Sequence, residues 1–265
     1  MDALQQIRGR GPEAGISVTI SELDLIKQIK NVLRLGVGNR FILLDGLGTK
    51  YEVEIQQFAK KQINCSLVSF LTEECRTLPQ IEIVLALIKS DRFEWCLEKL
   101  TELGVDLITP LVTQHCVVKH AEKGKEKLRR WESIVRESAE QCERMTIPRI
   151  VTPVSFSEYI YRPRSGGTST MGTQHLEFIC AERKQAEPLL KRLDGEGIST
   201  RCTSDIKHIS LISLMIGPEG GFSEHELNTA ETQGWKPVSL GPRILRAETA
   251  AIAALSQVAS ILDMQ

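Results

Sequence analysis

The sequence predicts two α/β parts in tandem: a small β-barrel, then an open, mostly parallel sheet covered by helices on both faces. Three observations carry this. Short strands with alternating apolar residues surround one small helix before residue 72. Beyond residue 81, apolar strands alternate with amphipathic helices. Near the C-terminus, Leu211–Leu227 and Val238–Ala251 share one grammar: an apolar strand, a tight loop rich in Gly and Pro, then a helix start.

In order, Met1–Gly15 is polar and Gly-rich, the composition of a poorly ordered terminus. Ile16, Val18 and Ile20 alternate as in a strand, and Ser21 caps a helix whose Leu23, Ile26, Ile29 and Leu33 share a face before Gly36 ends it. Phe41–Leu44 turns at Asp45-Gly46, a hairpin signal. Tyr51, Val53 and Ile55 alternate, and Ile63–Phe70 gives a further strand. These elements make a first domain over residues 1–72, and Glu73–Gln80 reads as a linker. The pattern fits a structural barrel as well as a binding one.

The second domain, 81–265, opens with the strand Ile81–Ile88. Asp91 with Glu94 caps a helix carrying Phe93, Leu97, Leu100 and Leu103 on one face, and Gly104 stops it. Leu107–Val112 then completes a βαβ unit. Leu128, Trp131, Val135, Ala139 and Cys142 mark a longer helix, with Pro148 past its end. Ser165–Thr173 is low in complexity, as in a mobile loop, and Leu176–Ala181 and Pro188–Leu193 continue as strand and helix. Chain-crossing rules predict an unknotted sheet.

Composition is that of a globular protein: 42% hydrophobic, 25% charged, formal net charge −1. No apolar run approaches the roughly 18 residues of a membrane span, so a cytoplasmic protein is expected. Seven cysteines without a CxxC pair suggest reduced thiols and no metal site. Basic charge is local: residues 1–64 carry a slight excess, and residues 119–130 hold six Lys/Arg against two Glu, a pattern equally suited to a solvated helix start.

The two Gly/Pro loops carry the chemistry. Leu211–Ile216 breaks at Gly217-Pro218-Glu219-Gly220-Gly221, and Ser223 with Glu226 forms a capping box. Val238–Leu240 breaks at Gly241-Pro242, and Arg243–Arg246 leads into a helix with Ile252, Leu255, Ala259 and Leu262 on one face. Either loop alone suits an ordinary strand–helix turn. Together they would wall a cleft with backbone groups, suited to a small polar cofactor. The spacing is neither GxGxxG nor a phosphate loop ending in GKS or GKT.

GPEGG followed by a capped helix, and LGPRILRAET leading into an Ala-rich helix, resemble the RsmE family of SPOUT-class methyltransferases. The blocks Ile88–Val105, Glu137–Ile150 and Asn31–Gly46 extend the resemblance over most of the chain. It implies a PUA-like RNA-touching barrel, a SPOUT domain with a C-terminal trefoil knot, and a homodimer, which the apolar C-terminal helix with Ile252, Leu255 and Leu262 also suggests. The implied reaction is methylation of uridine N3 in 16S rRNA, or in the small subunit, with S-adenosylmethionine. Rival readings are a SPOUT enzyme acting on a ribose 2′-OH or on tRNA, and a silent RNA-binding assembly factor.

On that reading Gly217, Gly220, Gly221, Leu240, Gly241 and Leu245 suit close cofactor approach, with Pro218 in the same turn and Ile216 and Ile244 as apolar walls. Glu219 and Glu248 are further cofactor candidates, though each also suits a helix start. Arg246, then Arg243, is the candidate cation for charge developing on the uracil carbonyls; either also suits an RNA phosphate. Arg34, Lys89, Arg92 and Arg144 are the RNA candidates. Lys99 is equally a helix-face partner of Glu98 or Glu102. Ser90 stands where family blocks often have Gly. The five histidines lie outside the shared blocks and suit surface or structural roles.

Overall fold

The computed structural model describes residues 16–72, 79–116, 124–162, 174–181, 186–198 and 208–262. Met1–Gly15, most of the expected linker, the start of the basic run at 119–130 and the Ser165–Thr173 loop lie outside the described residues. The chain divides into two compact units: residues 1–75 with Glu143–Thr146, and the remainder.

In the first unit, β1 (Ser17–Ile20), β2 (Arg40–Leu44), β3 (Thr49–Phe58) and β4 (Ile63–Thr72) form an antiparallel sheet in the order β1-β4-β3-β2. Its core, including Val18, Ile20, Val53, Ile55, Ile63 and Cys65, follows the alternation in the sequence. Between β2 and β3, the Asp45 carboxylate accepts from the Leu47 and Thr49 N–H groups, and Gly46 takes φ 69°. Glu143–Thr146 joins this unit: Gly48 N–H donates to Met145 O at 2.9 Å.

Helix α1 (Leu23–Lys27) corrects the sequence reading twice. Glu22 rather than Ser21 occupies the N-cap, with no side-chain cap bond. The helix then widens into a π-turn over Gln28–Val32, where Leu33 N–H reaches Gln28 O. The wider turn breaks the expected stripe: Ile26 and Ile29 are buried, whereas Leu23 and Leu33 face solvent.

The second unit is a parallel sheet in the order β10-β12-β9-β11-β5-β6-β7, with β8 also pairing β6. Its strands are β5 (Gln80–Ala86), β6 (Leu107–Val112), β7 (Arg149–Ile150), β8 (Val154–Ser155), β9 (Gln174–Cys180), β10 (Glu187–Pro188), β11 (Ile209–Ile216) and β12 (Lys236–Ser239). The helices are α2 (Ser90–Glu102), α3 (Gly124–Gln141), α4 (Phe156–Ile160), α5 (Leu189–Gly195), α6 (Glu224–Thr232) and α7 (Ala247–Leu262).

Both faces are covered, which explains the continuous apolar strands. Ile81, Ile83 and Leu85 of β5 and Ile212, Leu214 and Ile216 of β11 pack with α2, α3, α5 and α7. Val84 and Met215 face Phe156 and Tyr159 of α4 and Ala230 of α6. Fully burying each Leu or Ile is worth about 1.5–3 kcal/mol.

Gly104, at φ 94°, terminates α2 as expected. Asp91 sits in its first turn, but Glu94 does not cap it: its carboxylate takes two 2.7 Å hydrogen bonds from Arg130 of α3. Leu103 is beyond the helix and partly exposed. Trp131, Val135 and Ala139 of α3 are buried, and the Trp131 ring packs 4.7 Å from Phe93.

Candidate functional site

In the parallel register Cys180 lies beside Val238, Ile179 beside Met215, and Ile216 beside Leu85. The C-terminal ends of β12, β9, β11 and β5 therefore share one sheet edge, with β9 between the strands that launch the two Gly/Pro loops. Open parallel sheets bind ligands at such an edge.

A cleft opens there, with about 400 Å³ of space including its mouth, lined by Cys180, Ala181, Val238, Leu240 and Ala250 around the loop Gly241–Leu245. Ser239 Oγ accepts from Gly241 N–H at 3.2 Å and donates to Gly241 O at 3.1 Å, fixing the loop where it leaves β12. Gly241 takes φ 133°, a conformation open to glycine. Small side chains and backbone dominate the lining. Ile244 stands 73% exposed.

The first loop does not line this cleft; it is built separately. Gly221 N–H donates to Pro218 O at 2.8 Å, closing a turn, and Gly221 takes φ 71°. Ser223 and Glu226 form the expected capping box at the start of α6. The buried Glu226 also accepts from Gln114 N–H at 2.9 Å, and His115 Nδ1 lies 3.0 Å from Gly221 O. The connection after β6 thus clamps the first loop.

Of the cofactor candidates, Leu240, Gly241, Ile244 and Leu245 line the cleft, whereas Ile216, Gly217, Pro218, Glu219, Gly220, Gly221 and Glu248 do not. Glu219 and Glu248 instead flank Arg92, whose Nη1 is 3.7 Å from Glu219 Oε1 and 3.9 Å from Glu248 Oε1. Arg243 is exposed at the rim, and Arg246 is exposed just before α7. Neither side chain has a hydrogen bond or ion pair among the described residues.

The RNA candidates divide between the units. Arg34, exposed at φ 53°, and Arg144 belong to the first; Lys89, at the N-cap of α2, and Arg92 belong to the second. Lys99 pairs with Glu102 at 2.7 Å, as its helix-face reading expects. Of the histidines, His115 is the structural one through Gly221, His208 and His225 are exposed, and His120 lies outside the described residues.

The sequence reading missed Cys180, Ala181 and Ala250. The signal was available for the first two, because they end a strand expected to run parallel to its neighbours. It also missed Glu82, inside the apolar β5. This fully buried carboxylate accepts from Thr109 Oγ1 (2.7 Å), Ser213 Oγ (2.7 Å), Tyr159 OH (2.9 Å) and Arg162 Nη2 (3.1 Å). Among the described residues, no group of three or more His, Cys, Asp or Glu could hold a metal, and no helix is long and apolar enough to cross a membrane.

Residues 76–259 match a family model described as an RNA methyltransferase domain, and residues 29–68 match an RNA methyltransferase PUA domain. The chain is 31% identical to ribosomal RNA small subunit methyltransferase E of Synechocystis, over 95% of this chain and 75% of the relative. It is 32% identical to the protein of that name from Bacillus subtilis, over 88% of this chain and 86% of the relative. Among solved structures, ribosomal RNA small subunit methyltransferase E from Neisseria gonorrhoeae, bound to S-adenosyl methionine, superposes with a TM-score of 0.75. That pair is 26% identical over 95% of this chain and 94% of the other.

Proposed function

We propose a function from one premise: the chain belongs to the RsmE family of small-subunit ribosomal RNA methyltransferases. It is an S-adenosylmethionine-dependent methyltransferase acting on N3 of a uridine in 16S rRNA. The observation that carries this is the cleft at the ends of β9 and β12, walled by the LGPRIL loop.

The lining suits S-adenosylmethionine: backbone groups around Gly241 for hydrogen bonding, the small Ala181 and Ala250 for a flat ring, and Leu240, Ile244 and Leu245 for apolar cover. When bound, that cofactor supplies an electrophilic methyl group on sulfonium. The chain's own part is positioning, exclusion of water and charge stabilisation. Uridine N3 would lose its imide proton to a base or to water, leaving negative charge shared with the flanking carbonyl oxygens until the methyl is taken up and the cofactor leaves as a neutral thioether. Arg243 and Arg246, free of other partners among the described residues, would stabilise that charge. Glu219 and the residues Ile216–Gly221 would act through the neighbouring first loop, which leaves the sheet on the other side of β9.

In this reading the C-terminal loops belong to a SPOUT trefoil knot, the first unit is a PUA-like barrel docking rRNA through Arg34 and Arg144, and Lys89 adds a phosphate contact. The enzyme is a cytoplasmic homodimer. Of the three apolar positions on the C-terminal helix, Leu255 and Leu262 are fully buried in the chain's own core, and Ile252 alone is half-buried. The homodimer follows from the family resemblance, and Ile244, a cleft wall 73% exposed, is where a second copy would reach the site.

The test is a calorimetric titration with S-adenosylmethionine, followed by transfer of labelled methyl to small-subunit rRNA. Binding with label on a uracil base is expected. Failure to bind would overturn the reading, and label on a ribose would select the 2′-OH reaction instead.

A further inference from the structure

Arg92 lies in the first turn of α2, at the sheet edge from which both Gly/Pro loops emerge, because β5 ends beside β11 at the Leu85–Ile216 pair. One guanidinium nitrogen, Nη1, faces a carboxylate from each loop region: Glu219 of the first loop at 3.7 Å, and Glu248 of the helix that follows the second at 3.9 Å. The Glu248 side chain is only 10% exposed, and its Oε2 is buried without a hydrogen-bond partner among the described residues. A carboxylate so placed is costly unless a cation stands beside it. One helical turn further along α2, Cys96 Sγ lies 4.0 Å from the Glu248 carbonyl oxygen, so α2 and α7 meet where the ion pair forms.

The same cluster argues against Arg92 as a phosphate ligand. One guanidinium with two carboxylates carries a net negative charge, which repels phosphate.

We propose that Arg92 is a positioning residue that ties the first Gly/Pro loop to the helix carrying the second, through Glu219 and Glu248. Cofactor affinity then depends on Arg92 although it does not line the cleft. This rests on the cofactor reading above.

S-adenosylmethionine titrations of the wild type, Arg92→Lys, Arg92→Ala, Glu219→Gln and the Arg92→Ala/Glu219→Gln double variant test it, beside the salt dependence of rRNA binding. Arg92→Ala raises Kd about tenfold, Arg92→Lys restores part of the loss, and the double variant binds no worse than Arg92→Ala. The salt dependence stays that of the wild type. An unchanged Kd in folded Arg92→Ala, or additive losses in the double variant, overturns the proposal. So does a salt slope reduced by about one phosphate contact at unchanged Kd. If Arg92→Ala does not fold, the cycle of Arg92→Lys with Glu219→Gln reads the same coupling, and additivity again overturns it. A wild type that does not bind S-adenosylmethionine defeats the cofactor reading itself, a failure seen before any variant is compared.

Discussion

His115 Nδ1 lies 3.0 Å from the carbonyl oxygen of Gly221, which fastens the connection after β6 to the first Gly/Pro loop. The carbonyl accepts, so the ring presents Nδ1–H to it. The same histidine sets what the loop tolerates: a Cβ on Gly220 would meet His115 Cβ at 3.0 Å. That contact is with the base of a side chain, so rotation cannot relieve it.

Gly220→Ala is therefore expected to destabilise the fold by about 1–3 kcal/mol, as overpacking does. Gly221 behaves differently. A Cβ there meets nothing within 4 Å, but φ is 71°. Its constraint is conformational, about 1–2 kcal/mol for most side chains and less for Asn. Thermal melts and cofactor titrations check this, with Gly221→Asn milder than Gly221→Val. Equal effects of Asn and Val would show that space rather than backbone angle governs the position.

Glu82→Ala is predicted to cost about 3 kcal/mol or more, because it strands the hydroxyls of Thr109, Ser213 and Tyr159 together with the Arg162 head group. Glu82 sits towards the start of β5, away from the strand ends that form the cleft. Folded variant should keep its cofactor affinity. Urea denaturation and calorimetry on the same sample separate the two readouts.

Stability should fall on the alkaline side. Burial, with the Glu248 charge adding to it, pushes the Cys96 thiol up to about 12, and burial pushes Cys65 up to about 11. Burial, then the Glu82 charge, raises the Tyr159 hydroxyl above the ordinary tyrosine range. A group whose pKa is raised by folding stabilises fully below its unfolded value and loses that contribution as pH climbs through the folded one. The loss from these groups therefore begins above about pH 8.5, the unfolded cysteine value, and deepens past about 10, the tyrosine value. Urea midpoints measured across that window should decline; a midpoint level to pH 11 contradicts the assignment.

Cys180 gives a handle on the cleft, since it lines it at the end of β9 while Cys142 of the second unit does not. Saturating S-adenosylmethionine should slow alkylation of Cys180 and leave Cys142 unchanged. Mass spectrometry of timed alkylation reads both sites; Cys180, 7% exposed, reacts more slowly than Cys142, and a measurable Cys180 rate that cofactor leaves unchanged would place binding elsewhere.

Short-range grammar was legible in the sequence. Ser223 and Glu226 form their capping box, Gly104 stops α2, and strand–helix alternation yields the parallel sheet. These depend on residues a few positions apart. What was not legible depends on pairings between distant segments. The ion pairs of Arg92 with Glu219 and Glu248 join residues more than 120 positions apart, which no local pattern announces. Glu82 is hidden within an apolar run because its partners come from β6, α4 and β11. The π-turn at Gln28–Val32 rotates Leu33 out of a helical stripe that assumes a constant period. Leu255 and Leu262 looked like an interface because an apolar helix face does not say which surface it meets.

The central claim is that this chain methylates N3 of a uridine in small-subunit rRNA. The most direct test is mass spectrometry of nuclease-digested 16S rRNA from cells lacking the protein, with and without its return. One uridine should lose a base methyl group in its absence and regain it on return. It should not regain it when the returned chain carries Gly241→Val, a substitution at φ 133° in the proposed cofactor loop. An rRNA with the same methylated uridines in all three strains would contradict the account.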